Sequence, residues 1–166
     1  MNNCHQLIIL KLYLGVIIFI PYTEFWTQEV ARSQCEADSS VADASTRFIT
    51  LPRPKNLDEN NFYHYIFFLY NSNAKENDRY WLDISEELPA TDPRKWVYGD
   101  GTPVTWTNWK GGEPNDHGDG EPFVEVDPNR LWNDVKKDTT HMFMCVYYLP
   151  PGAEDTCPWL SKYVIR

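Results

Sequence analysis

Glu113, Asn115, Asp116, Asp119 and Glu121 crowd into one short run, EPNDHGDGE, and Asn133 and Asp134 follow in LWND. Carboxylates interleaved with side-chain amides, with no sulfur and one imidazole (His117), form the donor set of a hard cation. Ca²⁺ takes roughly six to eight oxygen ligands from carboxylates, amide carbonyls and backbone carbonyls. A zinc site would call for more His or Cys. The spacing excludes an EF-hand, whose ligands sit in one run of about twelve residues with a central Gly. Pro114 lies between two potential ligands, and a cis Glu113–Pro114 bond would turn both flanking side chains to the same side. Two other readings compete. An acid-rich loop can simply be solvated. Glu113, Glu121 and Asp134 could also be imagined as the acid and base of a glycosidase. Carboxylates held by a cation stay ionised, however, and cannot donate protons. No nucleophile-elbow or HExxH motif occurs either, so the chain is not expected to be an enzyme.

These residues need elements to position them. TQEVARSQCEA, Thr27 to Ala37, predicts a helix with Val30, Ala31 and Cys35 on its apolar side. RFITL, Arg47 to Leu51, predicts a short strand. A second helix is expected from an Asn56 or Asp58 cap to about Tyr70, with Leu57, Phe62, Ile66 and Leu69 on one face. YWLDI, Tyr80 to Ile84, predicts a strand, and Lys95 to Trp109 holds strand-like pieces around a Gly99-Asp100-Gly101 turn. From Asn108 to about Pro128 apolar periodicity stops, with FVEV as a brief exception. A loop longer than about 12–15 residues in a compact domain is usually functional or disordered. Trp109 before it and Leu131-Trp132 after it look like anchors, which favours order. HMFMCVYYL, His141 to Leu149, predicts a closing strand. Helices first, then short strands around one polar loop, indicate an α+β domain.

With 166 residues, one domain is the natural expectation. A net charge of −9 argues against nucleic acid, whose phosphates need clustered Lys and Arg, and suits a protein that gathers cations. Residues 1–20 contain LIILKLYLGVIIFI, which reads either as a signal-peptide core broken by Lys11 or as a first strand of the domain. The domain itself is expected over 21–148, with a Pro-rich tail over 149–166. Cysteines stand at 4, 35, 145 and 157 without a CxxC pair, so a thiolate zinc site is not expected. Cys35 and Cys145 lie on well-patterned segments. A bridge across that long separation would add about 4–5 kcal/mol in the chain-entropy model and imply an oxidising compartment. Cys4 and Cys157 could pair, stay free or bridge chains.

The run WTNWKGGEPNDHGDGE…FVEV…LWND closely resembles the C-type lectin domain, in particular its mannose-binding members. The resemblance extends from about Phe19 to Tyr147. It includes WLDI at Trp81, W-x-Y-G-D-G at Trp96, and the Cys35 helix paired with the FMC strand at Cys145. It implies a C-type lectin fold: two helices and two small antiparallel sheets with a long calcium-binding loop. It also implies one Ca²⁺ held by Glu113, Asn115, Glu121, Asn133 and Asp134, and a Cys35–Cys145 disulfide. Two vicinal sugar hydroxyls would then coordinate the ion, read by Glu113, Asn115, Glu121 and Asn133. The EPN order, as opposed to QPD, implies mannose, N-acetylglucosamine, glucose or fucose. A secreted protein that binds mannose-type glycans, and self-associates for avidity, is the expectation.

The chain also departs from the pattern. The inner disulfide of the family would fall on Phe123 and Lys137 and is absent. The loop is therefore expected to depend on the metal, on Trp132 and on inward packing of Phe123. The glycine of WIGL is Asp83, and the first-helix Trp is Gln28. A second calcium site would use Asp116, Glu121 and, upstream, only Glu86, but Pro122 stands where an acid is wanted. These departures motivate an alternative: a lectin-like domain that recognises a protein or surface and uses Ca²⁺ only structurally.

Overall fold

MFMCV, Met142 to Val146, is buried along its whole length, as a strand covered on both faces must be. In the computed structural model this strand is the centre of a mixed sheet. Residues 8–12, 15–38, 49–71, 73–118 and 120–148 are described; Cys4, Cys157, Asp119 and the tail 149–166 lie outside them. In chain order the elements are β1 (Ile8–Leu12), β2 (Gly15–Trp26), α1 (Gln28–Asp38), β3 (Ile49–Thr50), α2 (Leu57–Tyr70), β4 (Tyr80–Glu86), β5 (Trp96–Tyr98), β6 (Phe123–Val126), β7 (Trp132–Val135) and β8 (His141–Tyr148).

One half of the sheet is antiparallel β1-β2-β8, with Ile20 opposite Cys145 and Tyr22 opposite Phe143, and β3 on the far side of β8. The other half is β4, β5, β6 and β7, also antiparallel. A single parallel pairing, Tyr80 with Met142, joins them into one sheet. The expected pair of small sheets is thus one α+β assembly of two antiparallel halves with two helices.

Helix α1 packs through Ala31 and Cys35, both fully buried, and Cys35 is bonded to Cys145 of β8. Val30, expected on that face, is half-exposed instead. Its place is taken by Gln28, which is fully buried and donates through Nε2 to the carbonyls of Leu82 and Ile84, each at 2.7 Å. A long amide can satisfy strand carbonyls that an aliphatic side chain would leave unpaired.

Helix α2 begins where its side chains dictate. Asn56 caps it by accepting from the Glu59 N–H at 2.9 Å, while the Glu59 carboxylate reaches back to the Lys55 N–H at 3.0 Å. The helix is apolar nearly all round, so its sequence admits more than one inward face. Asn60, Tyr63, Ile66 and Phe67 are buried, whereas Leu57 and Leu69, expected inside with Ile66, are about half-exposed.

The largest departure lies in the stretch read as loop. β6 is buried at every residue and forms a hairpin with β7, pairing Val124 with Asp134 and Glu125 with Asn133. A four-residue strand with a glutamate in it is too short for alternation to reveal.

Candidate metal centre

Asp134 is where the two acidic motifs meet. It is fully buried on β7. Its Oδ1 accepts the N–H of Asn115 at 3.0 Å, and its Oδ2 accepts the N–H of Asp116 at 2.9 Å and Nη1 of Arg94 at 2.6 Å. Backbone amides of the EPND run are therefore fastened to the side chain of the WND strand. The Glu113–Pro114 bond is cis, as anticipated. Asp116 has φ of 52° and Gly120 of 102°, the left-handed turns that bring Glu121 back over the run. There the Glu121 N–H donates to Asp116 Oδ1 at 2.9 Å, and Glu121 Oε2 accepts the His117 N–H at 2.7 Å.

Beneath this loop lies an aromatic floor. Trp132 is fully buried, with Trp106 and Trp109 edge-on to it at 5.3 and 5.7 Å, and Trp96 beside Trp109 at 4.9 Å. The Trp132 N–H donates to the Asn108 carbonyl, and the Lys110 N–H to the Trp132 carbonyl. Trp132 Nε1 donates to Asn60 Oδ1 at 2.8 Å, and Asn60 Nδ2 donates to the Arg130 carbonyl at 2.9 Å. The buried helix residue Asn60 thus supports the strand that carries Asn133 and Asp134. Phe123 is buried, as expected of a side chain that replaces a disulfide cysteine.

Glu113 is the discordant member. Its Oε2 is sealed from solvent and has no hydrogen-bond partner. Burial, and the carboxylates of Asp134 and Glu121 beside it, push its pKa above the usual carboxylate value. For Asp134 burial acts in the same direction. The N–H of Asp116, the Arg94 guanidinium and the N–H of Asn115 outweigh it and hold Asp134 below its usual value. A buried oxygen without a donor, facing two further acids, lacks positive charge.

The structure brings Glu113, Asn115, Glu121 and Asp134 together. Asn133 is the exception: its Nδ2 donates to Glu125 Oε1 at 3.1 Å. Glu125 is also gripped by Arg79 and by His141 Nε2. Burial would raise the Glu125 pKa, but His141, Arg79 and Asn133 hold it down. That anchor fixes the Asn133 amide by its nitrogen. Among the described residues no three His, Cys, Asp or Glu side chains form a metal cluster by themselves. The sequence adds the amide oxygens of Asn115 and Asn133 to these acids, and that donor set is all oxygen, the kind that Ca²⁺ takes. Asp119 lies outside the described residues. His117 is exposed. Sequence reasoning missed Arg94 and Asn60, which belong to no motif, and gave no role to Glu125 of FVEV; all three are tied to the candidate ligands.

The family model for the lectin C-type domain matches residues 45–147. The chain belongs to the C-type lectin domain family. Chicken (Gallus gallus) hepatic lectin is 34% identical to this lectin domain over 74 residues, 45% of the chain and 35% of the hepatic lectin, so the match spans about a third of that relative. The carbohydrate-recognition domain of mouse scavenger receptor C-type lectin superposes with a TM-score of 0.64 at 21% identity. That comparison covers 84% of this chain and 95% of the mouse domain. A calcium-independent type II antifreeze protein superposes with a TM-score of 0.62 at 18% identity, covering 88% of this chain and 98% of that protein. At such identities the likeness is one of fold. C-type lectin domains typically bind Ca²⁺ and are generally non-enzymatic binding proteins. Their lectin members bind carbohydrate and are often secreted or extracellular.

Proposed function

We propose that this lectin domain binds mannose-type glycans in a calcium-dependent manner, with Glu113, Asn115, Glu121, Asn133 and Asp134 as the metal ligands. The observation that carries this reading is the partnerless buried Oε2 of Glu113 beside the Asp134 and Glu121 carboxylates. Bound there, Ca²⁺ would supply the electrostatic attraction for two vicinal hydroxyl oxygens of a sugar. The chain's own residues do the rest. Glu113 and Glu121 accept a hydrogen bond from one hydroxyl each, and the Asn115 and Asn133 amides donate one hydrogen bond each. The acid–amide order of EPN fixes which side accepts and which donates, and so favours the mannose, N-acetylglucosamine and fucose arrangement over that of galactose. A single such site binds weakly, so clustering of chains is needed for avidity. The Cys35–Cys145 bridge supports residence outside the reducing cytosol.

Retention on immobilised mannose and galactose, in millimolar Ca²⁺ and then in EDTA, tests this directly. Retention on mannose alone, released by EDTA, is the expected result. No retention on either sugar would sink the glycan assignment.

A second reading, recognition of a protein or surface with Ca²⁺ only structural, is favoured by one observation: the Asn133 nitrogen is already committed to Glu125. Asn115→Asp separates the two, because it removes an amide donor that only sugar binding requires.

A further inference from the structure

Arg94 follows the cis Asp92–Pro93 bond and stands two residues before the start of β5. Its guanidinium reaches most of the acid groups around the cage. Nε and Nη2 donate to the two oxygens of Glu86 at 2.8 and 3.1 Å, a bidentate fork on the end of β4. Nη1 donates to Asp134 Oδ2 at 2.6 Å, and Nη2 also donates to the backbone carbonyl of Glu121 at 2.7 Å. Asp116 Oδ1 lies 3.6 Å from Nη2, and the guanidinium carbon sits 4.6 Å from the centre of the Trp96 ring. The Arg94 side chain is 16% exposed.

We propose that Arg94 is the positioning residue of the calcium cage: a built-in cation that holds the loop in its binding arrangement before any metal arrives. Three features support it. The fork is planar and rigid, so its hydrogen bonds to Glu86 orient the remaining donors toward the loop. Those donors meet Asp134 and the Glu121 backbone, which come from the two separate acidic motifs. The same Asp134 carboxylate accepts the Asn115 and Asp116 amides, so orienting it orients the EPND backbone. Arg94 leaves Glu113 unpaired, and that leaves the metal its place. The sequence alone suggested a loop dependent on the metal, with no inner disulfide to hold it; on this inference Arg94 supplies the missing tie from within.

The calcium readout below rests on the proposed metal site, whereas the exchange readout does not. Arg94→Gln and Arg94→Lys are made in the full chain. Amide exchange is measured in EDTA at Asn115, Asp116, His117 and Glu121, and at Leu82 and Val146 in the core. Wild type is expected to protect the loop amides that donate to Asp134, Glu121 and Asp116. Arg94→Gln should exchange them at least tenfold faster while the core amides stay unchanged, and Arg94→Lys, which keeps the charge without the fork, should fall between. Calcium titration should show a dissociation constant raised about tenfold in Arg94→Gln, with the melting temperature in saturating calcium near that of wild type. Equal loop protection in wild type and Arg94→Gln would overturn the proposal. So would faster exchange spread through the core, or tighter calcium binding by the variant. If wild type binds no calcium, the metal site fails, and the exchange comparison still decides the role of Arg94.

Discussion

Two of the acid–arginine clusters among the described residues, one around Asp83 and one around Asp134, differ in one respect. Around Asp83 on β4 every need is met from within. Its Oδ1 accepts from Arg32 Nε and its Oδ2 from Arg53 Nε, both at 2.6 Å, and the Gly99 N–H approaches Oδ2 at 3.2 Å. Around Asp134, Arg94 satisfies part of the charge, and Glu113 Oε2 remains without a partner. The first cluster is closed and knits α1, the segment before α2 and the β5 turn to the sheet. The second leaves one buried acid oxygen without a donor, which is the feature that the proposed metal site rests on. The closed cluster is also packed tightly: a Cβ on Gly99 would lie 2.8 Å from Arg32 Nε and from Asp83 Oδ1. A buried acid is structural when its donors are complete and points to a ligand when they are not.

The comparison is broken most severely at Asp83. Asp83→Ala leaves two arginines facing each other without their acid and should cost about 3 kcal/mol, read from the urea midpoint, equally with and without calcium. A calcium-dependent loss would mean that the two clusters are not separate. Next in size is the open cluster. Calcium at about a hundredfold over its dissociation constant should add about 2.7 kcal/mol to wild type. Glu113→Gln should lose that increment yet melt no lower than wild type in EDTA, because it removes the repulsion from Asp134 and Glu121. An apo Glu113→Gln protein clearly less stable than wild type would show that the acid is already satisfied. Asn60→Ala strands Trp132 Nε1 and the Arg130 carbonyl, and should cost about 2 kcal/mol together with a weaker calcium response. An unchanged calcium response would separate the floor from the cage.

At neutral pH the smallest effect is a proton. Burial, then the Arg130 charge, hold the His64 pKa down at about 4, below its usual 6.5. Above pH 6.5 this contributes nothing. Between 6.5 and about 4 the unfolded chain takes up a proton that the folded chain refuses, so stability declines as pH falls. His64→Gln should flatten that part of the acid-denaturation curve measured in EDTA, and an identical slope would refute the assignment. The variant gives a baseline against which the acid sensitivity of the open cluster can be read.

What could be read in advance depended on how local its cause was. The α2 cap was legible because Asn56 bonds a backbone N–H three residues on. The EPN and WND motifs carried the candidate ligands, and the cis Glu113–Pro114 bond, because those residue types cluster in short runs. The inward face of α2 was misjudged because Phe62, Ile66 and Leu69 are as regularly spaced as Tyr63, Ile66 and Phe67, and only the sheet chooses between them. The β6–β7 hairpin was hidden because Glu125 reads as polar, whereas in the fold Arg79, His141 and Asn133 surround it.

The chain by itself determined its family, its α+β class, the segments that become its two helices and most of its strands, and the identity of its candidate cage side chains. Each of these depends on neighbouring residues or on the types present. Tertiary structure alone decided that Gln28 rather than Val30 faces the sheet, that Asn60 supports Trp132, and that Arg94 lies among Glu86, Asp134 and the Glu121 carbonyl. Those contacts join residues far apart in the chain, and their energies depend on burial and on direction, which no local pattern encodes.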